Sequence, residues 1–91
     1  MPLEIIQTAR FKRDIKRLQK QGKDLTSLQT AIKTLVKKKS LDPKFKDHKL
    51  VGNWQGHRAC HINPDWLFIY KVEGNELHLV STGSHSELFA V

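Results

Sequence analysis

Apolar residues recur along this chain in two rhythms, and the change between them falls near the middle. Phe11, Ile15 and Leu18 are spaced by four and three residues, which marks one face of an α-helix. Lys12, Arg13, Lys16, Arg17 and Lys20 fill the rest of that helix surface. Thr8 can cap its start, and Gly22 is a natural stop. Behind Asp24, a second candidate cap, Leu25, Leu28, Ile32, Leu35 and Val36 keep the helical period. That helix closes on Lys37, Lys38 and Lys39, where cations suit the negative end of the macrodipole. The pair predicts an antiparallel helical hairpin. Ahead of it, the short apolar run from Leu3 to Gln7 fits an edge strand.

From Leu50 onward the period drops to two. Gly56 to Ile62 alternates, with His57, Ala59 and His61 on one face and Arg58, Cys60 and Ile62 on the other. Asn63-Pro64-Asp65 is a turn, because Pro64 presets its own φ and Asn63 can cap the bend. Trp66 to Val72 is rich in aromatic and β-branched residues and suits a central strand buried on both faces. Glu73-Gly74-Asn75-Glu76 supplies a tight hairpin, Leu77 to Thr82 the next strand, and Gly83 its end. The tail from Ser84 to Val91 begins with a short turn and docks Leu88 and Phe89. Leu41 to Lys49, which contains Pro43, reads as a connecting loop. The expected fold is α+β, one domain over residues 1–91, with an N-terminal strand and helical hairpin packed on an antiparallel sheet. The helices should cover one sheet face and leave the other, with its histidines, for function.

Composition narrows the function classes. Ninety-one residues allow one core, and an apolar fraction of 38% argues against disorder. Sixteen Lys and Arg against nine Asp and Glu leave a formal charge of +7, which favours a polyanionic partner. The lysine run Lys37–Lys39 serves equally as a solvated helix end or an RNA contact. Cys60 is the single cysteine, so no intramolecular disulfide forms and a reducing compartment is expected. The N-terminus lacks a signal-peptide pattern, and no stretch approaches the ~20 apolar residues of a membrane span. A cytoplasmic protein is expected.

The five histidines, His48, His57, His61, His78 and His85, all lie in the second half, and only their unperturbed pKa lies near neutrality. Metal-independent RNA cleavage needs a base for the 2′-hydroxyl proton, stabilisation of the phosphorane charge and an acid for the 5′-oxygen. His48, His61, Asp65 and His85 sit at strand edges and in loops, where such groups collect on a rigid scaffold. Arg58 and nearby lysines are candidates for phosphate contact, and Trp66 or Phe89 for stacking on a base. Blander roles compete. His57 and His78 fit sheet-surface positions, Trp54 fits packing, Trp66 fits burial as well as stacking, and Asp65 is a sufficient turn former. A zinc site of His57, Cys60 and His61 is disfavoured, since Cys60 and His61 point to opposite faces of a regular strand. A lone mid-strand cysteine is usually a small buried hydrophobe rather than a nucleophile. No metal and no cofactor are expected.

A family resemblance adds to this. Asp47-His48-Lys49-Leu50-Val51-Gly52-Asn53-Trp54, then Arg58-Ala59-Cys60-His61-Ile62, Pro64-Asp65-Trp66, and Thr82-Gly83-Ser84-His85-Ser86-Glu87-Leu88-Phe89 together resemble the YafQ branch of the RelE/ParE toxin superfamily. The helical hairpin, the loop Leu41-Asp42-Pro43 and the overall length also fit. The resemblance implies a toxin of a bacterial type II toxin–antitoxin pair, with a microbial-ribonuclease-like fold, cutting mRNA in the ribosomal A site. It implies a cognate antitoxin as partner, acidic where it wraps the toxin, and contact with operator DNA only through that antitoxin. Carried over by motif, His48, His61, Asp65 and His85 form the acid–base set, with Trp66 and Phe89 shaping the site. His85 would be the general acid, Asp65 or His48 the base, and His61 an orienting group. The chain departs from many relatives at Ala59, where they carry an acidic residue, and at Ser81, where they carry an arginine that can clamp phosphate. Arg58 or a lysine would have to stand in for it. Two rivals remain open: a superfamily member that binds DNA gyrase without catalysis, and a nucleic-acid-binding module.

Overall fold

The computed structural model describes residues 1–89; positions 90–91, the end of the expected tail, lie outside the described residues. Strand β1 (Glu4–Gln7) leads into α1 (Ala9–Lys20) and α2 (Thr26–Val36). Short strand β2 (His48–Lys49) follows, then β3 (Arg58–Asn63), β4 (Trp66–Glu73), β5 (Glu76–Gly83) and the short helix α3 (His85–Phe89). The sheet order is β1-β5-β4-β3-β2. All neighbours are antiparallel except β1, which runs parallel to β5. The fold is therefore α+β on a mixed sheet. The parallel edge is possible because β1 reaches β5 only after a long excursion, not through a hairpin.

Local chemistry starts the helices where expected. Thr8 Oγ1 accepts from Phe11 N at 3.0 Å and donates to Val80 O at 2.8 Å, so the cap of α1 also ties that helix to β5. Asp24 Oδ1 accepts from both the backbone and the hydroxyl of Thr26. α2 ends at Val36, one turn earlier than the lysine run suggested. Lys38 lies in the left-handed region with φ 61°, and Lys39 N donates to Thr34 O at 3.2 Å, a helix ending that usually takes glycine. The lysines thus belong to the turn. The following segment is more ordered than a plain loop. Asp42 caps a 3₁₀ turn over Pro43–Phe45, Phe45 is buried, and His48 and Lys49 pair with Ala59 and Arg58.

β4 is buried from Trp66 to Tyr70. Trp66, Phe68 and Tyr70 face the helices and join a core with Phe11, Leu18, Leu28, Ala31, Leu35, Cys60, Leu77 and Leu79. Leu67 and Ile69 face the other way, into a smaller cluster with Ala59 and Leu88, flanked by Leu50, Trp54, Val80 and Phe89. The face opposite the helices is therefore only partly open. Its apolar half is closed by α3 and the Leu50–Trp54 segment, because two large aliphatic side chains of β4 need cover. Bulges at His61/Asn63 and at Ile69/Tyr70 bend the sheet beside the open half. At the left-handed helix end, Lys38→Gly should raise stability by about 0.5–1 kcal/mol, read as a higher urea midpoint with unchanged slope.

Candidate active site

Three imidazoles form a row across the open half of the face opposite the helices. His48 lies at the start of β2 and His61 on β3, with ring centroids 6.0 Å apart. His85, the first residue of α3, lies 5.9 Å from His61 on the other side. His48 and His61 meet because β2 pairs His48 with Ala59, and His61 is two residues farther along the same face.

Each outer ring is oriented through Nδ1. His48 Nδ1 lies 2.8 Å from Lys46 O. A carbonyl can only accept, so Nδ1 carries the hydrogen and Nε2 of the neutral ring keeps its lone pair. His85 Nδ1 lies 3.0 Å from Asp65 Oδ1, which fixes the same tautomer and leaves Nε2 outward. Asp65 is set in the β3–β4 turn by Asn63 Oδ1, which accepts from Asp65 N at 3.2 Å. The hydrogen bonds from His85, side chain first and backbone second, hold the Asp65 carboxyl below its ordinary pKa.

The middle ring differs. His61 is pushed below its ordinary value of 6.5, first by burial and then by coulombic repulsion from the neighbouring His48, His85 and Lys46. Its Nδ1 is buried without a hydrogen-bond partner. At neutral pH the centre of the row is a neutral imidazole. Phe89 continues the line, 6.5 Å from His85, and packs at 6.1 Å against Trp54. Arg10 lies 5.6 Å over the Trp54 ring.

The structure brings His48, His61, Asp65, His85 and Phe89 together, and separates Arg58 and Trp66 from them. Arg58 emerges on the helix side of β3, because no bulge intervenes between it and His61. It pairs with Asp47 through Nη2 at 3.1 Å and Nε at 3.3 Å, and Tyr70 donates to the same carboxylate at 2.6 Å. This anchors the loop carrying His48 rather than offering a phosphate contact. Trp66 is 6% exposed in the helix-side core, where its Nε1 donates to Thr82 Oγ1 at 2.8 Å; it cannot stack on a base from there. Cys60 is buried on that side too, and burial pushes its thiol up to about 12, so the set His57, Cys60 and His61 does not assemble. His57 packs against Trp54 and His78 sits beside Glu76, both outside the row.

Two carboxylates that hold the site's flanks, Asp47 and Asp14, carry no sequence motif of their own for that task. Ser81, which the family resemblance singled out as a departure, is fully buried and donates to Asp14 Oδ2 at 2.7 Å, so that position is occupied by packing. The signal for Asp14 was available: it is an acidic residue inside the apolar stripe of α1, between Phe11 and Leu18.

The row can handle protons at two ends of one phosphodiester. A base or acid must come within about 2.6–3.2 Å of the oxygen it serves, and each outer ring stands about one ring-spacing from His61, at 6.0 and 5.9 Å.

The chain is similar to known proteins over nearly its whole length. A family profile described as the bacterial toxin of type II toxin–antitoxin system, YafQ, matches residues 3–90. The mRNA interferase toxin YafQ of Escherichia coli K12 is 36% identical over 87 residues, covering 94% of this chain and 95% of the relative. A copper-bound mutant toxin from Helicobacter pylori superposes with a TM-score of 0.92 at 45% identity, covering 96% of this chain and 99% of that one. The toxin in the E. coli DinJ–YafQ toxin–antitoxin complex does so with a TM-score of 0.90 at 34% identity, over 98% and 99%. With a match that runs almost from end to end, this chain belongs to the YafQ family of bacterial type II toxins.

Proposed function

We propose that this toxin is a ribosome-dependent mRNA endoribonuclease, working by metal-free acid–base chemistry and neutralised by a cognate antitoxin. The observation that carries the reading is the row His48–His61–His85 with Asp65 behind His85. His48 Nε2 is free to take the 2′-hydroxyl proton as its oxygen attacks phosphorus. The 5′-oxygen leaves with the proton of a cationic His85 Nε2, giving a 2′,3′-cyclic phosphate and a 5′-hydroxyl end. Asp65, spent on His85 Nδ1, orients the acid and balances its charge, so His48 is the better base of the two. His61 lies between them as a neutral hydrogen-bonding group, and Lys46, close enough to depress its pKa, supplies positive charge near the phosphate. Phe89 lines the acid's end.

A net charge of +7 suits ribosomal and messenger RNA, with affinity falling as salt rises. The E. coli relative was solved with an antitoxin, and the net positive charge of this chain suits an acidic wrapping segment. Among the described residues no helix is long and apolar enough to cross a membrane; we assign the activity to the cytoplasm, where translated mRNA is found.

Primer extension on an mRNA under translation should reveal cuts in register with the reading frame, undiminished when the toxin is stripped of bound metal with EDTA and freed of the chelator before it is added. His85→Ala should lower that cleavage by about 10²–10⁴-fold with the fold intact; retained cleavage removes His85 from the mechanism, and loss of cleavage by the metal-stripped toxin removes the metal-free chemistry. Asp65→Asn should cost roughly 10–100-fold while sparing stability, since this pair is exposed; an unchanged rate would dismiss its orienting role.

His61 adds a pH test. Its folded pKa is depressed, so the unfolded chain binds the proton more readily. Its contribution to stability is complete above the ordinary value of 6.5 and is lost as pH falls through the folded value. The melting temperature of His61→Gln should therefore fall less between pH 7 and 5 than that of the wild type; parallel curves would contradict the assignment.

A further inference from the structure

The hydrogen bond between His85 and Asp65 joins a side chain 46% exposed to one 78% exposed. A pair so open to water holds geometry weakly. What fixes His85 must lie in the backbone that leads to it. That backbone, from Thr82 to Ser84, is gripped from behind by α1.

Asp14 is buried, with 7% exposure, on the face of α1 that packs on β5. Its Oδ2 accepts from Ser81 Oγ at 2.7 Å and from Thr82 N at 3.1 Å. Its Oδ1 accepts from Arg17 Nη1 at 2.7 Å. Arg17 in turn donates from Nη2 to Thr82 O at 3.0 Å, so one peptide unit on each side of Thr82 is held by the same ion pair. Arg17 Nε lies 2.9 Å from Glu87 Oε2. That contact is an ion pair only, because the N–H is not aimed at the oxygen and finds no acceptor. Glu87 belongs to α3, and its Oε1 accepts from Ser84 N at 2.8 Å while Ser84 Oγ accepts from Glu87 N at 3.2 Å, a reciprocal capping arrangement. Between the two charged groups there is no room for a side chain. A Cβ on Gly83 would come within 2.7 Å of Arg17 Nη2 and 2.8 Å of Glu87 Oε1.

We propose that Arg17, oriented by Asp14, is a positioning residue for His85: its guanidinium locks the Thr82–Ser84 backbone and the start of α3, and so sets the imidazole against Asp65. The proposal rests on His85 being the general acid. Arg17 is not a substrate for the chemistry and touches none of the row; it acts through the chain. A planar fork with several donors is what the job requires, since it must reach Asp14, Thr82 O and Glu87 at once.

The test compares the full-length wild type with Arg17→Ala and Arg17→Lys, in two measurements. Cleavage of ribosome-bound mRNA should show kcat reduced roughly 10–100-fold in Arg17→Ala with KM within about 2-fold, and an intermediate loss in Arg17→Lys. Separately, ¹⁵N shifts of the His85 ring should report the Nδ1–H tautomer in the wild type and its loss in Arg17→Ala, at a temperature where circular dichroism shows both proteins folded. An unchanged kcat, or an unchanged tautomer in a folded Arg17→Ala protein, overturns the positioning role. Should the wild type cut no mRNA, the nuclease reading fails, and the tautomer measurement alone decides whether Arg17 sets His85.

Discussion

Strand β4 decides where everything else can go. Its five buried residues alternate between two environments, with Trp66, Phe68 and Tyr70 toward the helices and Leu67 and Ile69 away from them. The first set needs a thick cover, which α1 and α2 supply. The second needs only a thin one, which α3 and the Leu50–Trp54 segment provide at one end. The uncovered remainder of that face is where three histidines from three separate elements meet. The site is thus a by-product of unequal cover on the two faces of one strand.

Two carboxylates tether the flanks of the row. Asp47 ties the loop before His48 to Arg58 and Tyr70, and Asp14 ties the approach to His85 to Ser81, Thr82 and Arg17. Both lie on the side of the sheet away from the imidazoles. His61, on β3 between them, has the sheet itself for support. The exposed hydrogen bonds at the rings then only choose tautomers, a lighter task than holding the loops.

Much of this was legible in the chain. The period of four and three placed Phe11 and Leu18 inside, the period of two divided Arg58 and Cys60 from Ala59 and His61, and Asn63-Pro64-Asp65 turned where expected. Alternation alone foretold that Arg58 would face away from His61, and the structure adds what it does there. Other features depend on tertiary partners that no local pattern names. The parallel pairing of β1 follows from which strand is left unpaired, not from its own residues. Trp66 suits stacking or burial equally as a sequence letter; Thr82, sixteen residues away, decides between them. The partners of Asp14 are 67 and 68 residues distant, so its polarity within an apolar stripe was the only trace. β2 leaves no trace in the sequence because two residues carry no period.

The brevity of α3 has a consequence for how this protein fails. Helix α3 spans five residues, and among them Leu88 alone is fully buried. Such an element opens at a small fraction of the cost of global unfolding. It carries His85. Under the mechanism proposed above, activity is thus coupled to a very short helix, and opening α3 alone would silence the molecule while the sheet remains intact. Anything that binds the opened form would switch the toxin off without unfolding it.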